Sequence, residues 1–96
     1  MNILDTESNL GKLAYSKAGR DKGKFFIIVG ILDAKYVYIS DGDMRKIEKP
    51  KKKKIKHIVI MNCAADNIKN MLLCNEKVSN SEIKVFLQCH DVSKEV

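Results

Sequence analysis

The stretch YSKAGRDKGKFFIIVGI, residues 15–31, decides the fold. It turns through four cations and two glycines over residues 17–24, then enters an apolar run, 25–32, of aromatic and β-branched side chains. That composition favours a strand, and the unbroken apolarity suits one buried on both faces. Gly30 inside the run marks a bulge or bend. Working outward, residues 13–16 read as a first strand and 36–39 as a third, with Asp33 and Ala34 turning between strands. Asp41 and Gly42 supply the positive φ angles of a two-residue hairpin loop. A fourth strand is expected at 43–47 and a fifth at 55–61, separated by Pro50 and four consecutive lysines. Five short strands without an intervening helix fit a mainly β fold, a small SH3-like five-stranded barrel.

The tail changes period. Residues 66–77 place Ile68, Met71 and Leu72 on one helical face. Ser79 and Glu82 have the spacing of a capping box, which starts a second helix carrying Ile83, Phe86 and Leu87. The expected organisation is a barrel over 9–61 and a C-terminal helical extension over 62–90, two short helices packed on the barrel. The first eight residues are expected to fray.

Charge is segregated. Residues 12–57 hold fourteen Lys and Arg against five Asp and Glu, whereas 58–96 hold four Lys against five acids. One part of the chain is thus suited to a polyanion. No apolar run approaches the roughly 18 residues of a membrane span. The start of the chain lacks the basic and apolar regions of a secretory signal, so the protein is expected to be cytoplasmic. Cys63, Cys74 and Cys89 form neither an even disulfide set nor a zinc spacing, and read as reduced, partly buried side chains. His57 reads as a surface residue, and His90 beside Cys89 lacks the partners of a metal site. No nucleophile–base set or phosphate-binding Walker loop is present; the expectation is a non-enzymatic protein with no cofactor, no metal and no small-molecule substrate.

Two basic segments carry the candidate site. In the first, Gly19 and Gly23 let the backbone approach a ligand while Lys17, Arg20, Lys22 and Lys24 surround it, an arrangement suited to phosphate oxygens. In the second, Arg45, Lys49, Lys51, Lys52, Lys53, Lys54 and Lys56 flank Pro50, and self-repulsion is expected to hold an extended loop along a phosphate backbone. Asp21 is expected to organise its own loop. Only Arg20 and Arg45 among eighteen cations are arginine, so contacts should fall on phosphate and sugar rather than on base edges. Five or six such contacts give a slope of log K against log salt of roughly −4 to −5. Tyr15, Phe25, Tyr36 and Tyr38 are candidates for a stacking face, against the common alternative that aromatics in so small a fold are core.

Residues 15–29 resemble the KOW motif, a strand–loop–strand unit of SH3-like barrels. The similarity extends over about 11–61 to the KOW-type large-subunit ribosomal proteins of archaea and eukaryotes, families fourteen-e and twenty-seven-e, and to small bacterial KOW-domain proteins. It makes Gly23 the motif's characteristic glycine and Lys24 its basic companion. The resemblance implies binding of structured RNA, ribosomal RNA first, with ribosomal proteins as further partners and a ribosome-associated location. The tail lacks the long basic extension expected of those families, which leaves both an integral ribosomal protein and a loosely associated factor open. The rival expectation is a protein–protein adaptor, or a KOW-type transcription factor contacting RNA polymerase.

Overall fold

The computed structural model describes residues 9–94, with side chains through Cys89; the expected fraying of the first eight residues lies outside them. Five strands, β1 (Lys12–Ser16), β2 (Phe25–Ile31), β3 (Tyr36–Ser40), β4 (Lys51–Lys54) and β5 (Ile58–Ala64), form one antiparallel sheet in the order β4-β3-β2-β1-β5. Two helices follow, α1 (Asp66–Leu73) and α2 (Asn80–Lys94). The protein is mainly β with a helical tail, as expected. The sheet is not closed, since β4 and β5 are both edges.

The middle strand β2 serves two half-sheets. Its first half pairs with β1 (Leu13 opposite Ile27, Tyr15 opposite Phe25) and its second with β3 (Ile28 opposite Ile39, Ile31 opposite Val37). The register slips between Ile28 and Gly30, leaving Val29 as an extra residue. A bulge at that point bends the strand. The bend is required by the connection that follows β4. A three-residue 3-10 turn, Ile55–His57, joins the two edge strands. Its first N–H donates to Lys35 O at 2.8 Å, beyond the end of β2, and its last carbonyl accepts from Lys17 N–H at 3.0 Å, near the start of β2. A straight strand of this length would separate those points by about 20 Å, whereas three residues reach at most about 11 Å.

Curling gives each sheet face its own apolar cluster. Ala14, Phe26, Ile28, Val37, Ile39 and Ile58 fill the inside of the curl. Leu13 and Ile27 point the other way, where Ala65, Ile68, Val78, Ile83 and Leu87 cover them. Hence the uninterrupted apolarity of β2: alternate residues serve different clusters, and both are buried.

The helices follow their local signals, with one earlier stop. Ser79 Oγ accepts from Glu82 N–H while the Glu82 carboxylate accepts from Ser79 N–H, both at 3.1 Å, which completes the capping box. The first helix ends at Leu73 rather than at 77. Asn75 adopts φ +59° and Glu76 N–H reaches back to Met71 O at 2.8 Å, a Schellman-type stop.

The fourth strand is displaced from its expected place. Residues 43–47 are irregular because side chains take their amides. Asp41 Oδ1 accepts from Asp43 N–H at 2.9 Å and from Arg45 N–H at 2.8 Å, and Asn80 Oδ1 takes Ile47 N–H at 2.8 Å. The expected two-residue hairpin is therefore a longer connection, and the lysine run expected as a loop is itself the strand, pairing Lys51 with Ile39 through Lys54 with Tyr36. The last strand starts at Ile58, since 55–57 are the 3-10 turn.

Gly42 has φ +75°, and a Cβ there would stand 2.4 Å from Asn80 O; Gly23 has φ +88° with open space around it. Gly23→Ala should therefore cost only the left-handed strain of about 1–2 kcal/mol. Gly42→Ala should cost a further ~1–3 kcal/mol for the clash, and urea unfolding of the two variants measures the difference.

Candidate functional site

The turn between β1 and β2 is a built structure. Gly23 N–H donates to Ser16 O at 2.8 Å and Ser16 N–H to Lys24 O at 2.9 Å, closing its neck. Lys22 N–H to Gly19 O (3.2 Å) and Lys24 N–H to Asp21 O (3.0 Å) fold its tip. Gly19 and Gly23 both take positive φ, +84° and +88°, as their placement predicts. Lys17, Arg20, Lys22 and Lys24 are all exposed, so four cationic side chains surround one tight turn.

This turn lies along the β4 edge, held from three directions. Ahead of the strand, Arg45 pairs with Asp21 at 3.4 Å, with the Asp21 side chain 7% exposed and that of Arg45 32%. From the strand, Lys53 Nζ donates to Ala18 O at 2.9 Å. Past the strand, His57 O accepts from Lys17 N–H. The two basic segments, which a flat meander would hold at opposite ends of its strands, are thereby joined. Asp21 is buried and tied to a residue twenty-four positions away, a longer reach than organising its own loop.

The lysine strand divides by pleat. Lys52 and Lys54 are exposed on the outer face, opposite Tyr38 and Tyr36, whereas Lys53 is 7% exposed and Lys51 is half-buried. Adjacent lysines thus point apart. Two like charges about 7 Å apart on one face repel by only about 0.6 kcal/mol in water, less than a ladder hydrogen bond contributes. Lysine stems also cover apolar surface, and charged residues suit an exposed edge. Lys49 and Lys56 are exposed beyond the two ends of β4. Arg45 and Lys53 stand apart from the other cations, because their heads are committed within the protein; Arg45 Nε is buried without a partner. Lys35, Lys46 and Tyr36 also border this region. Lys35 and Lys46 count in the positive excess of residues 12–57 but lie outside the candidate site residues, whereas Tyr36 is already among the stacking candidates.

The four aromatic candidates separate. Tyr15 packs on Phe25 with ring centroids 5.1 Å apart, and Phe25 contributes to the helix-covered cluster. Tyr36 and Tyr38 lie on the outer face of β3, and Lys52 Nζ sits 5.0 Å from the centre of the Tyr36 ring. On the far side, Asn80 donates from Nδ2 to Glu48 at 2.9 Å. That hydrogen bond, helped by Lys46 and Lys77, holds the exposed Glu48 carboxyl below the ordinary value of 4.5. Cys63 is half-buried, while Cys74 and Cys89 are exposed rather than partly buried. His57 sits in the 3-10 turn, half-buried. Among the described residues no three His, Cys, Asp or Glu side chains come together as metal ligands, and no helix is long and apolar enough to cross a membrane.

No family model matches the chain. It is 30% identical over 71 residues to a Bacillus subtilis (strain 168) protein described as "Putative ribosome-binding protein YbzG", an overlap of 74% of this chain and 96% of that one.

Asp21→Ala should release the turn from β4. The expected cost is about 1–3 kcal/mol, accompanied by faster hydrogen exchange at the Lys22 and Lys24 amides. Unchanged exchange there would show that the Lys53 and His57 contacts hold the turn alone.

Proposed function

We propose that this chain, which belongs to the family of the Bacillus subtilis protein YbzG, is a non-enzymatic, cytoplasmic protein that binds the ribosome through ribosomal RNA. The observation that carries the reading is the joining of the Lys17–Lys24 turn to the lysine strand: Lys53 and Arg45 fasten the two segments, and Lys17, Arg20, Lys22, Lys24, Lys52 and Lys54 around that join are exposed. A ribosome-binding relative supports the target. The scarcity of arginine supports a contact made mainly to phosphate and sugar. The curled sheet, with its bulged middle strand and its glycine turn between β1 and β2, supports an SH3-like barrel carrying a KOW motif.

On this reading Lys17, Arg20, Lys22 and Lys24 contact phosphates around the turn, with Gly19 and Gly23 permitting close approach. Lys49, Lys52, Lys54 and Lys56 continue the track along β4, with Lys51 at its start. Lys53 and Arg45 position the surface from within.

Ribosome co-sedimentation from a native lysate tests the reading. Binding in low salt with release by a high-salt wash is expected; absence from ribosomal fractions in low salt would sink it. With isolated ribosomes, Lys52→Ser and Lys54→Ser should each flatten the dependence of log K on log salt by roughly 0.7–0.9. Lys53→Met should leave that slope unchanged, since its ammonium is spent on Ala18 O.

A further inference from the structure

The outer face of the β3–β4 ribbon holds a feature that phosphate contact does not use. Tyr36 stands directly opposite Lys54, and Tyr38 opposite Lys52; such cross-strand partners share one face of a sheet. Helices cover Leu13 and Ile27 at the other end of the sheet, while Lys52 and Lys54 here stay exposed and both tyrosines remain partly so. The two rings differ in their surroundings. Tyr38 lies against Gly30, where an added Cβ would stand 3.2 Å from its ring. Tyr36 instead lines an open groove with Ala34, Lys35, Lys54, Ile55 and Lys56. Lys52 Nζ stands over its ring at 5.0 Å, so that a base stacked there takes the ring from the groove or displaces the ammonium toward its own phosphate.

That groove has the chemistry of a nucleotide site. An aromatic ring and the apolar surfaces of Ala34 and Ile55 suit the face of a base, and the three groove lysines with Lys52 suit the phosphates on either side of it. The acid of the neighbouring turn, Asp33, holds that turn, its Oδ1 accepting from Lys35 N–H at 2.8 Å and Tyr36 N–H at 2.9 Å, and its single negative charge is outnumbered by the four lysines. A peptide-binding aromatic groove has no need of four cations, whereas a polyanion does. A base is accessible to a side chain in this way only where the RNA is unpaired.

We infer that the Tyr36 groove binds an unpaired RNA nucleotide, its base stacked on Tyr36 and its flanking phosphates held by Lys35, Lys52, Lys54 and Lys56. The inference rests on the RNA-binding reading above and narrows it: the target includes a loop, bulge or single-stranded segment beside the surface that the phosphate track follows.

Fluorescence anisotropy with a short single-stranded RNA of mixed sequence, the same sequence as a duplex, and an abasic analogue of the single strand tests it. The single strand should bind more tightly than the duplex. Tyr36→Ala and the abasic analogue should each lose about tenfold or more in affinity, with the salt slope unchanged because no cation is removed. Tyr36→Phe should retain binding. The abasic comparison uses the intact protein, so it stands even if Tyr36→Ala is unstable. Equal affinity for the abasic and natural strands would overturn the groove assignment while leaving phosphate binding in place. Failure of all three RNAs to bind would overturn both readings. Binding of a proline-rich peptide that is lost in Tyr36→Phe, without an effect on RNA, would assign the groove to a protein ligand and overturn the inference.

Discussion

Three residues separate the two edges of this sheet, and that short connection constrains the rest. The 3-10 turn at Ile55–His57 must be bonded at one end to the β2–β3 turn and at the other to the residue following β1. Only a bent β2 brings those points within its reach. The extra residue at Val29, beside a glycine that gives Tyr38 room, supplies the bend. A longer linker would relieve the constraint, and with it the reason for the turn between β1 and β2 to lie beside β4.

Curling a sheet of five short strands creates two buried faces from very little chain. The inside of the curl is filled by the sheet's own side chains, but the outside leaves Leu13 and Ile27 uncovered. The helical tail supplies that cover, so it belongs to the same core. Its placement is also pinned by polar contacts, with Asn80 accepting from Ile47 N–H and donating to Glu48. The Asn80 contact to Ile47, with those of Asp41 to Asp43 and Arg45, takes the amides that residues 43–47 would need to pair as a strand. Helix docking and the position of β4 are therefore two consequences of one arrangement.

Within the basic region, cations serve two purposes that composition does not distinguish. Lys53 and Arg45 are turned inward and bind a carbonyl and a buried carboxylate; their neighbours are turned outward. Burying an ammonium or guanidinium group is costly without partners, and here the partners come from the turn that must be held in place. The helical tail covers Leu13 and Ile27, and its last helix borders the basic turn, with Lys84, Leu87 and Gln88 beside Gly23 and Lys24.

Much of this was legible in residue patterns. The run at 25–32 indicated a strand buried on both faces, Gly30 its irregularity, Gly19 and Gly23 the positive φ angles, and Ser79 with Glu82 the start of a helix; each is a local preference that the backbone carries wherever it is placed. Asn75 was a readable helix stop that the apolar periodicity overshot. The fourth strand was hidden because four identical lysines show no alternation, and their inward and outward positions exist only by pairing with β3. Asp41–Gly42 resembled a tight hairpin because nothing local announces that Asn80, thirty-three residues after Ile47, will take an amide from the same connection. Sequence by itself determined the strand-rich half, the helical tail and the excess of positive charge, since these follow from side-chain chemistry and short-range backbone preference. Tertiary structure alone decided which cations face solvent and that the two basic segments meet, because both depend on the pairing of β4 with β3 and on a bent sheet whose edge strands are joined by a three-residue turn.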